Sequence, residues 1–155
     1  ADTVRRADRA GVRNLQVRTP VDPKALEGLD GKMDVVFLDA PCTGTGSWRR
    51  HPDTKWRLTP EALERRIAEQ DRVLDQGAVF VKPGGRMVYV TCSVLAEENE
   101  DRVAAFLQRA EGFEVRAATA DPALAQWLTP EGFLRLSPRR SATDGFFVAV
   151  LERAR

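Results

Sequence analysis

Two cysteines and one aspartate stand at the ends of two apolar stretches of the sequence. Asp39 and Cys42 follow the run Met33–Leu38 in the order Asp-Ala-Pro-Cys, and two spaced glycines come next. The run Arg86–Thr91 ends in the same way, at Cys92. A thiol where a strand passes into a loop can have a lowered pKa and act as a nucleophile. These residues therefore permit covalent catalysis by a thiolate with a carboxyl group beside it.

Other roles for the thiols compete with this one. Buried cysteine is common, so either thiol alone could be structural, although two at equivalent positions weaken that interpretation. A cysteine hydrolase would use a histidine base, and the only histidine is His51. Two cysteines and one histidine are too few for a four-ligand zinc site, so we expect no metal. A nucleophile that needs no histidine, such as one that adds to an electrophilic ring carbon, is the remaining enzymatic hypothesis.

Two neighbouring strands would bring the thiols together. The apolar, β-branched runs predict buried strands that end at the ligand edge of an open α/β sheet. If the strands are neighbours, their C-terminal ends lie about 5 Å apart. Thr59 and Pro60 predict the start of a helix whose apolar stripe packs on the sheet, and Pro83–Gly85 predicts its end. The three groups would then surround one crevice.

The remaining pattern alternates helices and strands, then ends in two strands with no clear helix between them. It predicts an α/β fold with a mostly parallel sheet and an antiparallel pair at one edge. The further predicted elements are a helix over 2–10, a weak strand at Leu15–Val17, a helix after the acids of 97–101, a strand at Phe113–Val115, a helical turn at Ala123–Leu128 and a strand at Gly145–Leu151.

Composition sets the broad class. The 155 residues are 43% hydrophobic and 30% charged, which is ordinary for one globular domain with a real core. No apolar run approaches the roughly 20 residues that cross a membrane. The formal charge of +1 says little about partners. Two free thiols are typical of a reducing compartment, so we expect a cytoplasmic location.

Aromatic and cationic side chains are concentrated in residues 47–58. Such a composition stacks nucleic-acid bases and pairs with phosphates. The competing interpretation is a loop whose tryptophans simply pack on the domain, and basic runs are commonly just solvated surface. The candidate RNA contacts are Trp48, Arg49, Arg50, Lys55 and Trp56.

Several ordered blocks of the sequence resemble the Sun/Fmu-type RNA (cytosine-5) methyltransferases. Together they cover roughly residues 30 to 151, and their number and order make the resemblance specific. The blocks are Asp39–Gly46, Arg50–Trp56, Lys82–Gly85, Thr91–Val94, Glu97–Asn99 and Thr143–Phe147.

The resemblance implies a Rossmann-like fold, S-adenosylmethionine as cofactor and RNA, chiefly ribosomal RNA, as substrate. By the family pattern Cys92 is the nucleophile that attacks C6 of cytosine, and Cys42 assists release of the methylated product. Asp39 is implied to lie beside both cytosine and cofactor, with Ala40 and Pro41 also at the cofactor. From the lack of a long apolar run and of sufficient metal ligands, we expect no membrane partner and no metal.

Some family features are absent from these residues. The Gly-rich cofactor loop, the acid that holds the ribose and a lysine near the target base are missing, and Arg18–Pro20 stands where a further acid is expected. We therefore expect residues 1–155 to be the C-terminal portion of one catalytic domain, with 1–24 a weakly ordered remnant. Two alternatives stay open. One is an inactive RNA-binding module of the same fold; the other is a thiol hydrolase or redox protein, with His51 beside a cysteine or a reversible disulfide.

Overall fold

The computed structural model describes residues 2–18, 22 and 24–155. Five α-helices and five strands are present in these ranges, together with short 3-10 helices at Thr45–Ser47, Pro52–Arg57 and Ala96–Glu98. The helices are α1 (Asp2–Arg9), α2 (Pro60–Phe80), α3 (Glu100–Arg109), α4 (Pro122–Ala125) and α5 (Pro138–Ser141). The strands are β1 (Met33–Asp39), β2 (Val81–Thr91), β3 (Phe113–Arg116), β4 (Leu134–Leu136) and β5 (Phe146–Arg153).

The strands form one mixed sheet in the order β1-β2-β5-β3, with β4 also paired to β5. β1 and β2 are parallel neighbours, and β5 is antiparallel to each strand that it meets. All other strands therefore share one direction, and the predicted α/β class with a mostly parallel sheet is confirmed. The antiparallel strand β5 lies inside the sheet, which gives it partners on both sides.

Helix α2 begins as the sequence predicts. The Thr59 hydroxyl caps it by accepting a hydrogen bond from the amide of Ala62 (3.2 Å), and Pro60 occupies the first turn, where no amide donor is needed. The helix packs on β1, so Val36 and Leu38 join the core, while Val35 and Phe37 on the other face are 58% and 64% exposed. The largest buried side chains of the core include Leu74, Met87, Tyr89, Phe106, Phe147 and Leu151.

One predicted strand and one predicted helix boundary are wrong. Leu15–Val17 is exposed and forms no strand, because three alternating residues have no neighbouring strand to pair with. Helix α2 ends at Phe80, and Pro83–Gly85 lies within β2, where the register with β1 shifts and Gly84 has φ +73°. Strand β4 and helix α5 were not predicted. Across the described ranges, no helix is long and apolar enough to cross a membrane.

Candidate active site

Cys42 and Cys92 meet at the C-terminal ends of β1 and β2. Asp39 is in register with Val90, and the next amide, that of Ala40, donates to the Val90 carbonyl (2.9 Å). This pairing carries the chain from β1 directly across the end of β2. The two Sγ atoms consequently lie 3.3 Å apart, within hydrogen-bond distance for sulfur. The predicted convergence of the two strand ends is confirmed.

The two thiols differ in their readiness to ionise. The hydrogen bond from Cys42 lowers the pKa of Cys92 to about 7, against the opposing effects of burial and of the Asp39 and Glu98 charges. The same hydrogen bond, together with burial, raises the pKa of Cys42. A thiolate is the reactive form of cysteine. Cys92 is thus the sulfur that carries negative charge near neutral pH, with Cys42 as its S–H donor.

Asp39 is the last residue of β1, and Ala40 and Pro41 follow it at the start of the next loop. The Asp39 side chain is exposed, whereas Ala40 is buried and its amide is already bonded to Val90. Proline has no amide hydrogen, and the Pro41 carbonyl accepts from the Gln70 side chain (2.9 Å). Of the three residues expected at the cofactor, Asp39 therefore offers an exposed polar side chain, Pro41 offers partly exposed apolar surface, and Ala40 is covered by the protein itself. This fits one edge of a polar cofactor.

Backbone contacts lock the Cys42 loop against its neighbours. The Gly46 amide donates to the Cys92 carbonyl (2.9 Å), and the Gly145 amide donates to the Gly46 carbonyl (2.9 Å). A Cβ atom on Gly46 would lie 2.8 Å from the Cys92 carbonyl oxygen and closer still to that of Gly145. Glycine is required here because three backbone segments pass too near one another for a side chain.

Arg49 and Arg50 lie beside the start of β5. Both form ion pairs with Asp144, with Arg49 at 3.5 Å, and they lower the pKa of that carboxyl group. The two arginine side chains remain 62% and 58% exposed. Both arginines are thus already paired with Asp144, and the exposed parts of their side chains remain available to bind an anion.

The two tryptophans of this segment have different environments. Trp48 is partly buried, and its Nε1 atom is buried with no hydrogen-bond partner in the described part of the chain. Trp56 is 79% exposed, and the Lys55 ammonium lies 4.5 Å from the centroid of its ring. Trp56 is available to stack on a base, whereas Trp48 supports the packing interpretation.

A cavity of about 190 Å³ opens beside Cys42. Two arginines that the sequence analysis did not single out line it, Arg57 and Arg66. They also contact the nearby carboxylates of Asp53 (3.2 Å) and Glu69 (2.5 Å). Arg57 lies within the aromatic and basic segment 47–58 and Arg66 follows it on α2, and that closeness is the signal that could have found them.

Three fully buried polar side chains were given no role in the site by the sequence analysis, namely Gln70, Glu98 and Asn99. Glu98 was interpreted as one of several acids that favour the start of a helix, and the block Glu97–Asn99 entered the family resemblance with no role for its side chains. Gln70 lies on the buried stripe of α2 but is not apolar, so a search for hydrophobic periodicity passes over it. Within the described residues, no cluster of three or more His, Cys, Asp or Glu side chains could hold a metal ion.

The sheet and the site at its strand ends define the class of the protein, a Rossmann-like α/β domain of the S-adenosylmethionine-dependent methyltransferase type. The family model for the 16S rRNA methyltransferases RsmB/F matches residues 2–152. The chain belongs to this family.

Individual relatives agree with this assignment. Ribosomal RNA small subunit methyltransferase B of Salmonella newport (strain SL254) is 43% identical over 122 residues, which are 77% of this chain and 26% of the relative. A methyltransferase homologue from Pyrococcus horikoshii has a TM-score of 0.76 at 30% identity, over 98% of this chain and 49% of that protein. The structure of NSun6 from the same organism with SFG has a TM-score of 0.72 at 25% identity, over 98% of this chain and 38% of that protein.

The chain thus spans about a quarter of the length of the Salmonella relative. The family predicted from the ordered sequence blocks is confirmed.

Proposed function

We propose that this chain carries the reactive thiols of an enzyme that methylates C5 of a cytosine in ribosomal RNA, with S-adenosylmethionine as methyl donor. The observation that carries the proposal is the 3.3 Å contact between the Cys42 and Cys92 sulfurs. Through this contact the pKa of Cys92 is lowered to about 7 and that of Cys42 is raised, so Cys92 is the thiol that ionises near neutral pH. Family membership supports an RNA substrate, and an RNA substrate together with free thiols is consistent with the predicted cytoplasmic location.

Cys92 begins the reaction. Its thiolate adds to C6 of the cytosine, a C6–S bond forms, and the electron pair of the C5=C6 bond moves into the ring. Asp39, exposed beside Cys92, supports this addition by sharing a proton with N3 or by accepting a hydrogen bond from the exocyclic amine. When bound, S-adenosylmethionine supplies an electrophilic methyl group. The target base must leave its stack to reach the thiols.

Cys42 suits the release step. Its pKa is raised by donating to Cys92, by burial and by the charge of Cys92. Two of these three causes disappear once Cys92 is bonded to carbon, so Cys42 can then lose its proton to water. The Cys42 thiolate removes the proton from C5, the C–H electron pair restores the C5=C6 bond, and the C6–S bond breaks with its electrons returning to Cys92. The resting protonation states are restored.

RNA contact is assigned to the segment beside Cys42. Trp56 would stack on a base, and the exposed parts of Arg49, Arg50 and Lys55 would face phosphates. Trp48 would hold the segment against the domain. The cavity beside Cys42 supports this assignment, because two further arginines line it.

The test is a chimera in which the matching part of this chain replaces the corresponding 122-residue segment of the Salmonella relative. We expect the chimera to methylate ribosomal RNA at a cytosine C5, as determined by mass spectrometry of its nucleosides. Cys92→Ala should abolish methylation. Cys42→Ala should accumulate a protein–RNA adduct that survives denaturing electrophoresis. Normal turnover by Cys92→Ala would refute the assignment, and a folded chimera that binds RNA without methylating it would favour the inactive-module alternative.

A redox role is the second candidate. A sulfur separation of 3.3 Å needs only a small movement to reach the roughly 2.05 Å of a disulfide bond. His51 is exposed at the start of a 3-10 helix, and no hydrogen bond joins it to either thiol in the described ranges, so a histidine-assisted hydrolase has no support. Treatment with a disulfide oxidant followed by peptide mapping would reveal a Cys42–Cys92 bond. A redox protein would cycle between the two forms without methylating RNA.

A further inference from the structure

Two consecutive residues, Glu98 and Asn99, are fully buried and polar, and the proposed reaction uses neither of them. They lie where the 3-10 helix Ala96–Glu98 leads into α3. Polar side chains are rarely buried without hydrogen-bond partners, because they lose water on burial. The partners of these two side chains are therefore informative.

The side chain of Glu98 holds the loop of Cys42. It accepts hydrogen bonds from the amide (2.8 Å) and the hydroxyl (2.5 Å) of Thr43, the residue that follows Cys42. It also accepts from Gln70 (3.0 Å), whose side-chain amide donates to the carbonyl of Pro41, the residue that precedes Cys42. Both neighbours of Cys42 are thus fixed through one buried carboxyl group.

The side chain of Asn99 holds the loop of Cys92 in the same way. Its Oδ1 atom accepts from the Thr91 hydroxyl (2.5 Å), and its Nδ2 atom donates to the Ser93 carbonyl (3.0 Å). Thr91 and Ser93 are the residues on either side of Cys92. The amide therefore brackets the second thiol, with one donor and one acceptor correctly matched.

Glu98 and Asn99, whose side chains hold the two thiol loops, are consecutive residues joined by one peptide bond. Consecutive Cα atoms are about 3.8 Å apart, so the side chains that hold the two loops start from adjacent points of the backbone. A further hydrogen bond fixes the backbone at this point, from the Tyr89 hydroxyl to the Glu98 carbonyl (2.7 Å). Residues 98 and 99 thereby join the two thiol loops, which lie about fifty positions apart in the sequence.

We propose that Glu98 and Asn99 are positioning residues that hold the sulfur atoms of Cys42 and Cys92 in contact, Glu98 through the Cys42 loop and Asn99 through the Cys92 loop. Their relevance to catalysis rests on the proposed function. The positioning itself can be measured without RNA or cofactor, through the ionisation of Cys92.

The measurement is the pH dependence of alkylation by iodoacetamide, resolved by peptide mass spectrometry. Trypsin places Cys42 on the peptide 33–49 and Cys92 on the peptide 87–102, so each thiol is followed separately. The parent chain should give a midpoint near 7 for Cys92. The groups that act on this thiol are Cys42, Asp39 and Glu98.

At Glu98, the loss of its charge and the loss of its positioning effect would shift the alkylation midpoint of Cys92 in opposite directions. Loss of the Glu98 charge alone would lower the midpoint of Cys92, because that charge raises its pKa. Loss of the Cys42 contact would raise the midpoint toward the ordinary 9.0. We expect Glu98→Ala to raise it, and Glu98→Gln, which can still bond Thr43 and Gln70, to leave it unchanged or lower. Asn99→Ala changes no charge and should also raise it.

Asp101→Ala is the matched control, because it removes an exposed acid from the first turn of α3. Its midpoint should equal that of the parent. Alanine variants at Glu98 and Asn99 that melt cooperatively yet keep the parental midpoint would overturn the proposal. If they fail to fold, Thr43→Val removes one donor to Glu98 while Thr43→Ser keeps it. Equal midpoints for that pair would overturn the role of Glu98. A shifted midpoint in a chain whose chimera does not methylate RNA would refute the proposed function and leave the positioning role intact.

Discussion

The contact between the two sulfurs leads to a sharp prediction for Cys42→Ala. The substitution removes the S–H donor, which is the main cause that lowers the pKa of Cys92. Burial and the charges of Asp39 and Glu98 remain, and each raises that pKa. A backbone hydrogen bond at Cys92 also remains and lowers it, so the pKa of Cys92 should rise from about 7 toward the ordinary 9.0.

The magnitude follows from the fraction of thiolate and from its reactivity. At pH 7 about half of Cys92 is ionised in the parent, but about 1% would be ionised in the variant if its pKa were 9.0. A more basic thiolate is intrinsically about 6- to 10-fold more nucleophilic over two pKa units. The variant should thus react about 5- to 8-fold more slowly at pH 7, yet about 6- to 10-fold faster at pH 10.

Site-resolved alkylation across this pH range tests the prediction, and the two rate profiles should cross near pH 8. Cys42→Ser is the control, since its hydroxyl can still donate a hydrogen bond to Cys92, and its profile should lie between those of the parent and the alanine variant. If the Cys42→Ala variant were alkylated at Cys92 faster than the parent at every pH, the result would show only improved access to the thiol. Parallel profiles with one midpoint would refute the assignment of Cys42 as the donor that keeps Cys92 ionised.

Three further predictions concern packing, RNA and cofactor. Gly46→Ala should destabilise the chain by about 1–3 kcal/mol in urea denaturation, because its Cβ atom would clash with backbone oxygens that cannot move away. Gly112→Ala is the control, since the space around Gly112 is open and the variant should show only the cost of a positive φ. Trp56→Ala should weaken binding of single-stranded RNA by about 1–3 kcal/mol with an unchanged melting temperature; unchanged affinity in a filter-binding assay would remove Trp56 from the RNA interface. The chain alone should bind S-adenosylmethionine weakly or not at all, since Asp39 is the one polar group it offers among the expected cofactor residues, and micromolar affinity by calorimetry would contradict this.

The sequence predicted the site correctly where reactive side chains directly follow predicted strands. Cys42 and Cys92 each follow an apolar run, so the parallel pairing of β1 and β2 necessarily brings them together. The Leu15–Val17 prediction failed because a strand depends on a partner, which three alternating residues cannot reveal. Glu98 was misjudged because its neighbours are acids suited to an exposed helix start, and only the tertiary structure distinguishes the buried one.

The burial of Gln70 was not predicted because its side chain is polar. Ile67, Gln70, Leu74 and Gly77 follow helical spacing on α2, but a pattern built on apolar residues excludes a buried amide. Gln70 is buried because Glu98 and the Pro41 carbonyl receive its hydrogen bonds. Such partners lie 28 and 29 positions away in the chain and cannot be inferred from local sequence.

The close approach of Gly46 to Gly145 has a consequence for protein engineering. Three segments distant in sequence meet there through backbone atoms, with no side chain between them to absorb a misfit. A designer who transplants the Cys42 loop into another scaffold must therefore move the Cys92 turn and the start of β5 with it. The smallest portable unit of this site is a set of three interlocked segments, and exchanging one of them alone would leave the recipient loops unable to close.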